Sequence, residues 1–251
     1  MSDNRGIAII TGGGSGIGQA TALAMSADGW TVVVAGRRQD ALADTVAKAS
    51  GTQRVEAVQA DVTDAASVDR LFATVLERHG RVDFLFNNAG MNVPKIPLDE
   101  LDTDQLRTIV ETNVLGSLLC SRAAMIAMKA QTPGGGRIVN NGSVSAYAPR
   151  LNTAPYTATK HAITGLTKAI TVDGRPFGIV CGQIDVGNAT GDPSTPMAAG
   201  DPQADGSVIF EPRISTSQIA DMVSHMARLP LEANVPFVTV MASTMPLYGR
   251  G

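Results

Sequence analysis

The sequence is poor in the features that would announce several kinds of protein. It has two cysteines, Cys120 and Cys181, far apart and in no CxxC pair, which argues against a disulfide framework and for a reducing setting. Its three histidines, His79, His161 and His225, show no metal-ligand spacing, so no metal site is expected. Aromatics make up 4% of the chain, and the formal net charge of -3 speaks against a broad nucleic-acid surface. No apolar run approaches the ~20 residues of a membrane helix. The opening "MSDNRG" is polar and leads straight into a strand-like run, unlike a secretory leader. The expected setting is therefore the cytoplasm, with no membrane and no nucleic-acid partner. No linker, repeat or change of composition divides the chain, so residues 1–251 read as a single domain.

What is present is an alternation. Apolar, β-branched runs ("IAIIT", "TVVVAG", "RVEAVQAD", "VDFLFNNAG", "RIVNNGS", "FGIVCGQI", "PFVTVMA") take turns with segments of helical period, the longest over about 104–131. Strands that are continuously apolar and separated by helices predict a doubly wound parallel sheet of about seven strands, the α/β Rossmann class, with helices on both faces. Residues 188–212 are rich in Gly, Pro, Asp and Ala without a period and read as a long loop beside a substrate pocket.

One junction stands out. "IAIITGGGSGIGQATALA" runs from a strand through glycines into a helix. Glycines there let backbone approach a pyrophosphate seated at the positive end of the helix. The spacing is not GxGxxG, and no Gly-Lys-Ser/Thr follows, which excludes a P-loop. A plain tight turn is the other reading of these residues alone.

Four motifs in order settle the comparison. "TGGGSGIG", "NNAG" at 87–90, Asn113 in "ETNVLG", and Ser143 followed by Tyr156-x3-Lys160 resemble the short-chain dehydrogenase/reductase family over nearly the whole chain. The resemblance implies a catalytic set of Asn113, Ser143, Tyr156 and Lys160. It implies cofactor contacts from Gly12, Gly14, Ser15, Gly16, Ile17 and Gly18, from Asn88, Ala89 and Gly90, from Tyr156 and Lys160 again, and from Gly187 and Asn188. Asp61 and Val62 would meet the adenine ring, although Asp61 also suits a helix cap. Asn87, Ala89 and Gly90 would line the adenosine side and brace the central strands. A homotetramer or homodimer, assembled through the helices near 104–131 and 155–173, is implied as well.

The chemistry explains the pattern. Tyr156 and Lys160 are i and i+4 on a predicted helix and share a face. A nearby ammonium favours a phenolate, and so makes a tyrosine a usable general acid and base for a carbonyl or alcohol substrate. Ser143 would hydrogen-bond the reacting oxygen. By resemblance, Lys160 would also hold the nicotinamide ribose, and Asn113 would help to hold a water in a proton relay.

The second strand ends "VVVAGRRQD". Chains that prefer NAD(H) usually place an acid where Gly36 stands. Arg37 and Arg38 suit a 2′-phosphate, so NADP(H) is favoured over NAD(H). After the sixth strand, "QIDVGNATG" has Val186 where the family usually has proline, and keeps Gly187; the register of Thr190 toward the cofactor is open. Pocket candidates are 91–96, 145–152 and 188–212, with Arg150, Asn152 and Met197 among them and Val144 beside them. The rival reading is a non-catalytic Rossmann nucleotide sensor or regulatory binding protein, which such a complete catalytic set disfavours.

Overall fold

A computed structural model describes residues 5–49, 54–190, 200–203 and 206–247. Seven strands form one sheet: β1 (Ile7–Thr11), β2 (Thr31–Gly36), β3 (Arg54–Gln59), β4 (Phe84–Asn87), β5 (Gly136–Asn141), β6 (Ile179–Val186) and β7 (Phe237–Val240). Their order is β7-β6-β5-β4-β1-β2-β3, and every neighbouring pair is parallel. The expected doubly wound architecture is the one observed.

Period-two alternation, with both faces covered, explains why the inner strands β1, β2 and β4 are apolar almost throughout, while the edge strands β3 and β7 stay partly exposed. Ala8, Ile10, Val32, Val34, Phe84 and Phe86 enter one core, with α1 (Gly16–Ala27), α2 (Gln39–Lys48) and α7 (Thr216–Arg228). Ile7, Ile9, Val33, Ala35 and Leu85 enter the other, with α3 (Ala65–His79), α5 (Gly116–Ala130) and α6 (Ala154–Gly174). In the inner strands both faces are buried, so a one-residue slip there would still bury apolar side chains; the glycine turns and the strand-end hydrogen bonds described below hold the register instead.

Helix ends follow local chemistry. Asp64 caps α3 by accepting from the amides of Ala66 and Ser67, and Gly80, in the left-handed region at φ 75°, closes it. Ser215 and Gln218 form a capping box on α7. The long helix expected over 104–131 is α4 (Thr103–Val110), a π turn at Glu111–Leu115, then α5. Thr103–Ala130 is long and apolar enough, by length and composition, to cross a membrane, which the sequence reading did not anticipate. Its apolarity has a local use: Cys120, Ala123, Ala124, Ala127 and Met128 pack into the second core.

The loop expected over 188–212 carries more order than its composition suggested. Ala189–Thr190 pairs in parallel with Ile214–Ser215, and Asp201–Pro202 pairs antiparallel with Val208–Ile209. Two-residue strands are too short to leave a period in the sequence. Residues 191–199, Met197 among them, and 204–205 lie outside the described residues.

Candidate active site

Strand order reverses between β1 and β4, which opens a crevice at their carboxyl ends, the usual ligand position in this architecture. The two strand ends are laced together there. Thr11 Oγ1 donates to the Phe86 carbonyl (3.2 Å) and accepts from the amides of Asn88 and Ala89 (3.0 Å each). Asn88 Nδ2 donates to the Thr11 carbonyl at 3.0 Å, and Asn88 Oδ1 accepts from Asn141 Nδ2 at 3.0 Å. Below, Asn87 Nδ2 bridges Asn140 Oδ1 and Ser121 Oγ, both at 2.8 Å. "NNAG" thus braces three central strands.

The glycine turn needs its glycines for two reasons. Gly12 and Gly16 adopt φ 65° and 55°, which favour glycine, and a methyl on Gly18 would run into the Gly12 carbonyl. Ser15 begins α1 without a side-chain cap, and no acid stands in the first turn. The first amides of α1 are left without a side-chain partner, and the helix dipole favours an anion there.

Ser143 follows β5 and is buried, with its amide donating to Asp185 Oδ1 at 3.0 Å. Its Oγ accepts from the Ser145 amide at 3.1 Å, which leaves the hydroxyl hydrogen for another acceptor. Pro155 lies in the first turn of α6, which then presents Tyr156 and Lys160 on one side. Lys160 Nζ donates to the Asn141 carbonyl at 2.6 Å and lies 5.5 Å from the centre of the Tyr156 ring. Asn113 sits in the π turn, where its side chain accepts from the Met91 amide (2.8 Å) and donates to the Met91 carbonyl (3.0 Å) and Thr159 Oγ1 (3.2 Å).

Three adjoining cavities share walls. One of about 130 Å³ lies between Gly12, Ser15, Arg37 and Arg38. One of about 190 Å³ continues past Gly12, Ser15 and Gly90 to Tyr156 and Lys160. The third, about 470 Å³, is bounded by Ser143, Tyr156, Lys95, Arg150, Asn188 and Arg213. Tyr156 borders both of the larger two. The trough fits a dinucleotide: glycine backbone and a helix start for the pyrophosphate, arginines at one end, and the Tyr–Lys pair at the other. Arg150 is held by Glu211, whose side chain is fully buried, at 2.5 Å, and Glu211 also accepts from Asn188 Nδ2 at 2.8 Å.

The family described as short chain dehydrogenase matches residues 6–202. The chain belongs to that family. It is an oxidoreductase of CH–OH and C=O groups. Among its relatives, a 3beta-hydroxysteroid dehydrogenase of Mediterraneibacter gnavus is 36% identical over 181 residues, 71% of this chain and 64% of that protein. An uncharacterized oxidoreductase of Staphylococcus haemolyticus is 34% identical across 94% of this chain and 97% of its own. The fold overlays that of a 3-ketoacyl-(acyl-carrier-protein) reductase from Brucella melitensis complexed with NADH, with a TM-score of 0.83 at 24% identity, covering 96% of this chain and 98% of that one.

Within this short-chain dehydrogenase, most residues singled out in the sequence border the trough. Gly12, Ser15, Gly16, Ile17, Asn88, Ala89 and Gly90 border the middle cavity; Gly14, Arg37 and Arg38 the small one; Gly187 and Asn188 the large one. Asp61 does not cap α3, a role that Asp64 takes. Asp61 instead folds onto Thr63, accepting from its amide (3.0 Å) and hydroxyl (2.8 Å). Burial works against its ionised form, but these hydrogen bonds and the Arg37 charge together hold its carboxyl below the usual range. Val62 is buried in the turn that follows β3, where it leaves no room for a methyl on Gly116. Thr190 Oγ1 donates to the Ile214 carbonyl at 3.2 Å. Arg213, which borders the large cavity, and Gln183, which holds Asp185, carry no motif in the sequence.

Proposed function

We propose that the chain transfers hydride between NADP(H) and a carbonyl or secondary alcohol, with Tyr156 as general acid and base. The observation that carries this reading is the position of Tyr156, on the shared border of the dinucleotide trough and the large cavity, with Lys160 beside it. The nicotinamide would supply or accept the hydride when bound. Lys160, beside the Tyr156 ring, would hold the nicotinamide ribose. The Ser143 hydroxyl would donate to the reacting oxygen, a bond that strengthens as charge develops on it. In reduction Tyr156 gives its proton to that oxygen; in oxidation it takes one.

Arg37 and Arg38 support NADP(H), because the cavity that they border contains no acid to bind a free 2′-hydroxyl. The name of the steroid relative is consistent with a secondary alcohol as substrate. Exposed Val110, Leu115, Leu118 and Ile126 on the long helix, with Val172 on α6, would be covered by further copies in a homodimer or homotetramer. The buried free thiols of Cys120 and Cys181 accord with a cytoplasmic setting.

The test is a carbonyl and alcohol panel with each nicotinamide cofactor, run on wild type and Tyr156→Phe. We expect the variant to lose turnover by at least about 10²-fold while its cofactor-dependent thermal shift persists. Retained turnover would overturn the role of Tyr156. Absence of any cofactor-dependent shift in the wild type would favour a reading without dinucleotide, whereas a shift with no turnover would favour the nucleotide sensor.

A further inference from the structure

Asp185 is buried, 3% exposed, and the reaction just described gives it no part. It stands on β6, at a place where sequence reasoning saw only a departure from the family's usual loop. Its Oδ1 accepts from the Ser143 amide at 3.0 Å and from Gln183 Nε2 at 2.7 Å. Gln183 is fixed in turn. Its Nε2 donates to Thr164 Oγ1 and its Oε1 accepts from Thr167 Oγ1, both at 3.0 Å. Thr167 Oγ1 also accepts from Asn140 Nδ2 at 2.9 Å, so the chain of bonds runs from α6 through β5 and β6 to Ser143.

The backbone beside Ser143 is shaped around this carboxylate. A methyl on Gly142 would collide with Asp185 Oδ1 and lie 2.6 Å from Gln183 Nε2. Ser143 has an extended φ of -166° and begins a single 3-10 turn, with its Oγ taken up by Ser145. The hydrogen bond from the Ser143 amide to Asp185 fixes the main chain, and the one accepted from the Ser145 amide fixes the side chain. Between them they limit where the remaining hydroxyl hydrogen can point.

We infer that Asp185 is a positioning residue for Ser143, and holds the serine hydroxyl in the orientation from which it donates to the reacting oxygen. It does so from beneath the backbone, through the Ser143 amide. This inference rests on Ser143 as the donor in the proposed reaction. The link itself, from Asp185 to the Ser143 amide, can be read without turnover.

The experiment is a double-mutant cycle between Asp185→Ala and Ser143→Ala, with Asp185→Asn as the conservative partner that keeps a carbonyl oxygen for the amide. Removing one oxyanion donor typically costs about 10²–10³ in kcat. Asp185→Ala is expected to lower kcat by about tenfold or more, with substrate KM changed by less than about threefold. Asp185→Asn should recover most of that loss. In the Ser143→Ala background Asp185→Ala should add almost nothing, because both changes act on one hydroxyl. Fully additive losses, or a loss confined to KM, would overturn the inference.

Hydrogen exchange at the Ser143 amide gives a second readout that needs no substrate. Protection is expected in wild type and Asp185→Asn and lost in Asp185→Ala; an unprotected amide in the wild type would overturn the inference by itself. If Asp185→Ala fails to fold, the same cycle and exchange measurement run with Asp185→Asn and Asp185→Ser. A Tyr156→Phe enzyme that keeps its turnover indicts the proposed reaction; one that is inactive beside additive Asp185 and Ser143 losses indicts Asp185 alone.

Discussion

The side-chain amide of Asn113 grips the main chain of Met91 from both sides, accepting its N–H at 2.8 Å and donating to its carbonyl at 3.0 Å. A π turn makes this possible. The extra residue per turn at Glu111–Leu115 carries Asn113 inward, where it is 2% exposed. The segment it grips leads from "NNAG" to Asn92, Val93 and Pro94 on the wall of the large cavity. With Oδ1 on Met91 and Nδ2 shared between Met91 and Thr159, this amide has its partners within the protein.

Asn113→Leu orphans the amide and carbonyl of Met91. Each buried group left without a partner costs about 1–3 kcal/mol. For a chain of this length each kcal/mol lowers Tm by about 2–4 °C. We expect a fall of several degrees by calorimetry, together with a lower kcat as the 91–94 wall loosens. An unchanged Tm would show that the grip contributes little.

Cofactor choice should follow the two arginines after β2. Arg37→Glu with Arg38→Ala replaces cations by an acid near the start of α2, where a ribose hydroxyl could be bound and a phosphate would be repelled. NADPH affinity is expected to drop by about 10²-fold or more, since hydrogen bonds to charged groups contribute roughly 1.5–3 kcal/mol each. NADH affinity should hold or rise. Titration of nicotinamide fluorescence measures both. Equal losses for the two cofactors would make the arginines bystanders to the choice.

The fold was readable because burial on both faces writes itself as unbroken apolar runs, and helices write a different period between them. Ser143, Tyr156 and Lys160 were readable because their spacing is fixed by one strand end and one helix turn. Asp185 was not, since a lone acid in an apolar strand has no pattern; only the fold shows that it lies beneath Ser143. Arg137 was hidden for the same reason. A cation at the start of β5 reads as solvated, yet it is 2% exposed.

Arg137 yields a stability prediction separate from catalysis. Its Nη2 donates to the carbonyls of Leu229, Pro230 and Ala233 at 2.8–3.1 Å, and Nη1 to Asn234 Oδ1 at 2.7 Å. It gathers the turn between α7 and β7 and places positive charge at the carboxyl end of α7, where the helix dipole favours it. Burial lowers its pKa, and these acceptors offset part of the cost. Arg137→Met should cost about 2–5 kcal/mol and lower Tm accordingly. Because the residue lies at the opposite end of β5 from Ser143, kcat of the folded variant should change little. A large loss of kcat at unchanged Tm would contradict this division.

Asp185 makes the pH dependence of stability specific. Burial pushes its carboxyl above the ordinary carboxylate range, against the opposing pull of Gln183, the Ser143 amide and Lys160. Between the ordinary value and the raised one, the native state therefore binds more protons than the unfolded chain. Stability falls as pH rises through that window and levels off above it, since the slope follows the difference in bound protons. Asp185→Asn has no such proton to lose. We expect the Tm of the variant relative to wild type to rise as pH climbs above about 4, and the two lines to run parallel once pH has passed the raised value. Thermal melts at half-unit steps would show it. A wild type that gains on the variant over that range would mean that the hydrogen bonds and Lys160 outweigh burial, and that the carboxylate is held ionised beneath Ser143.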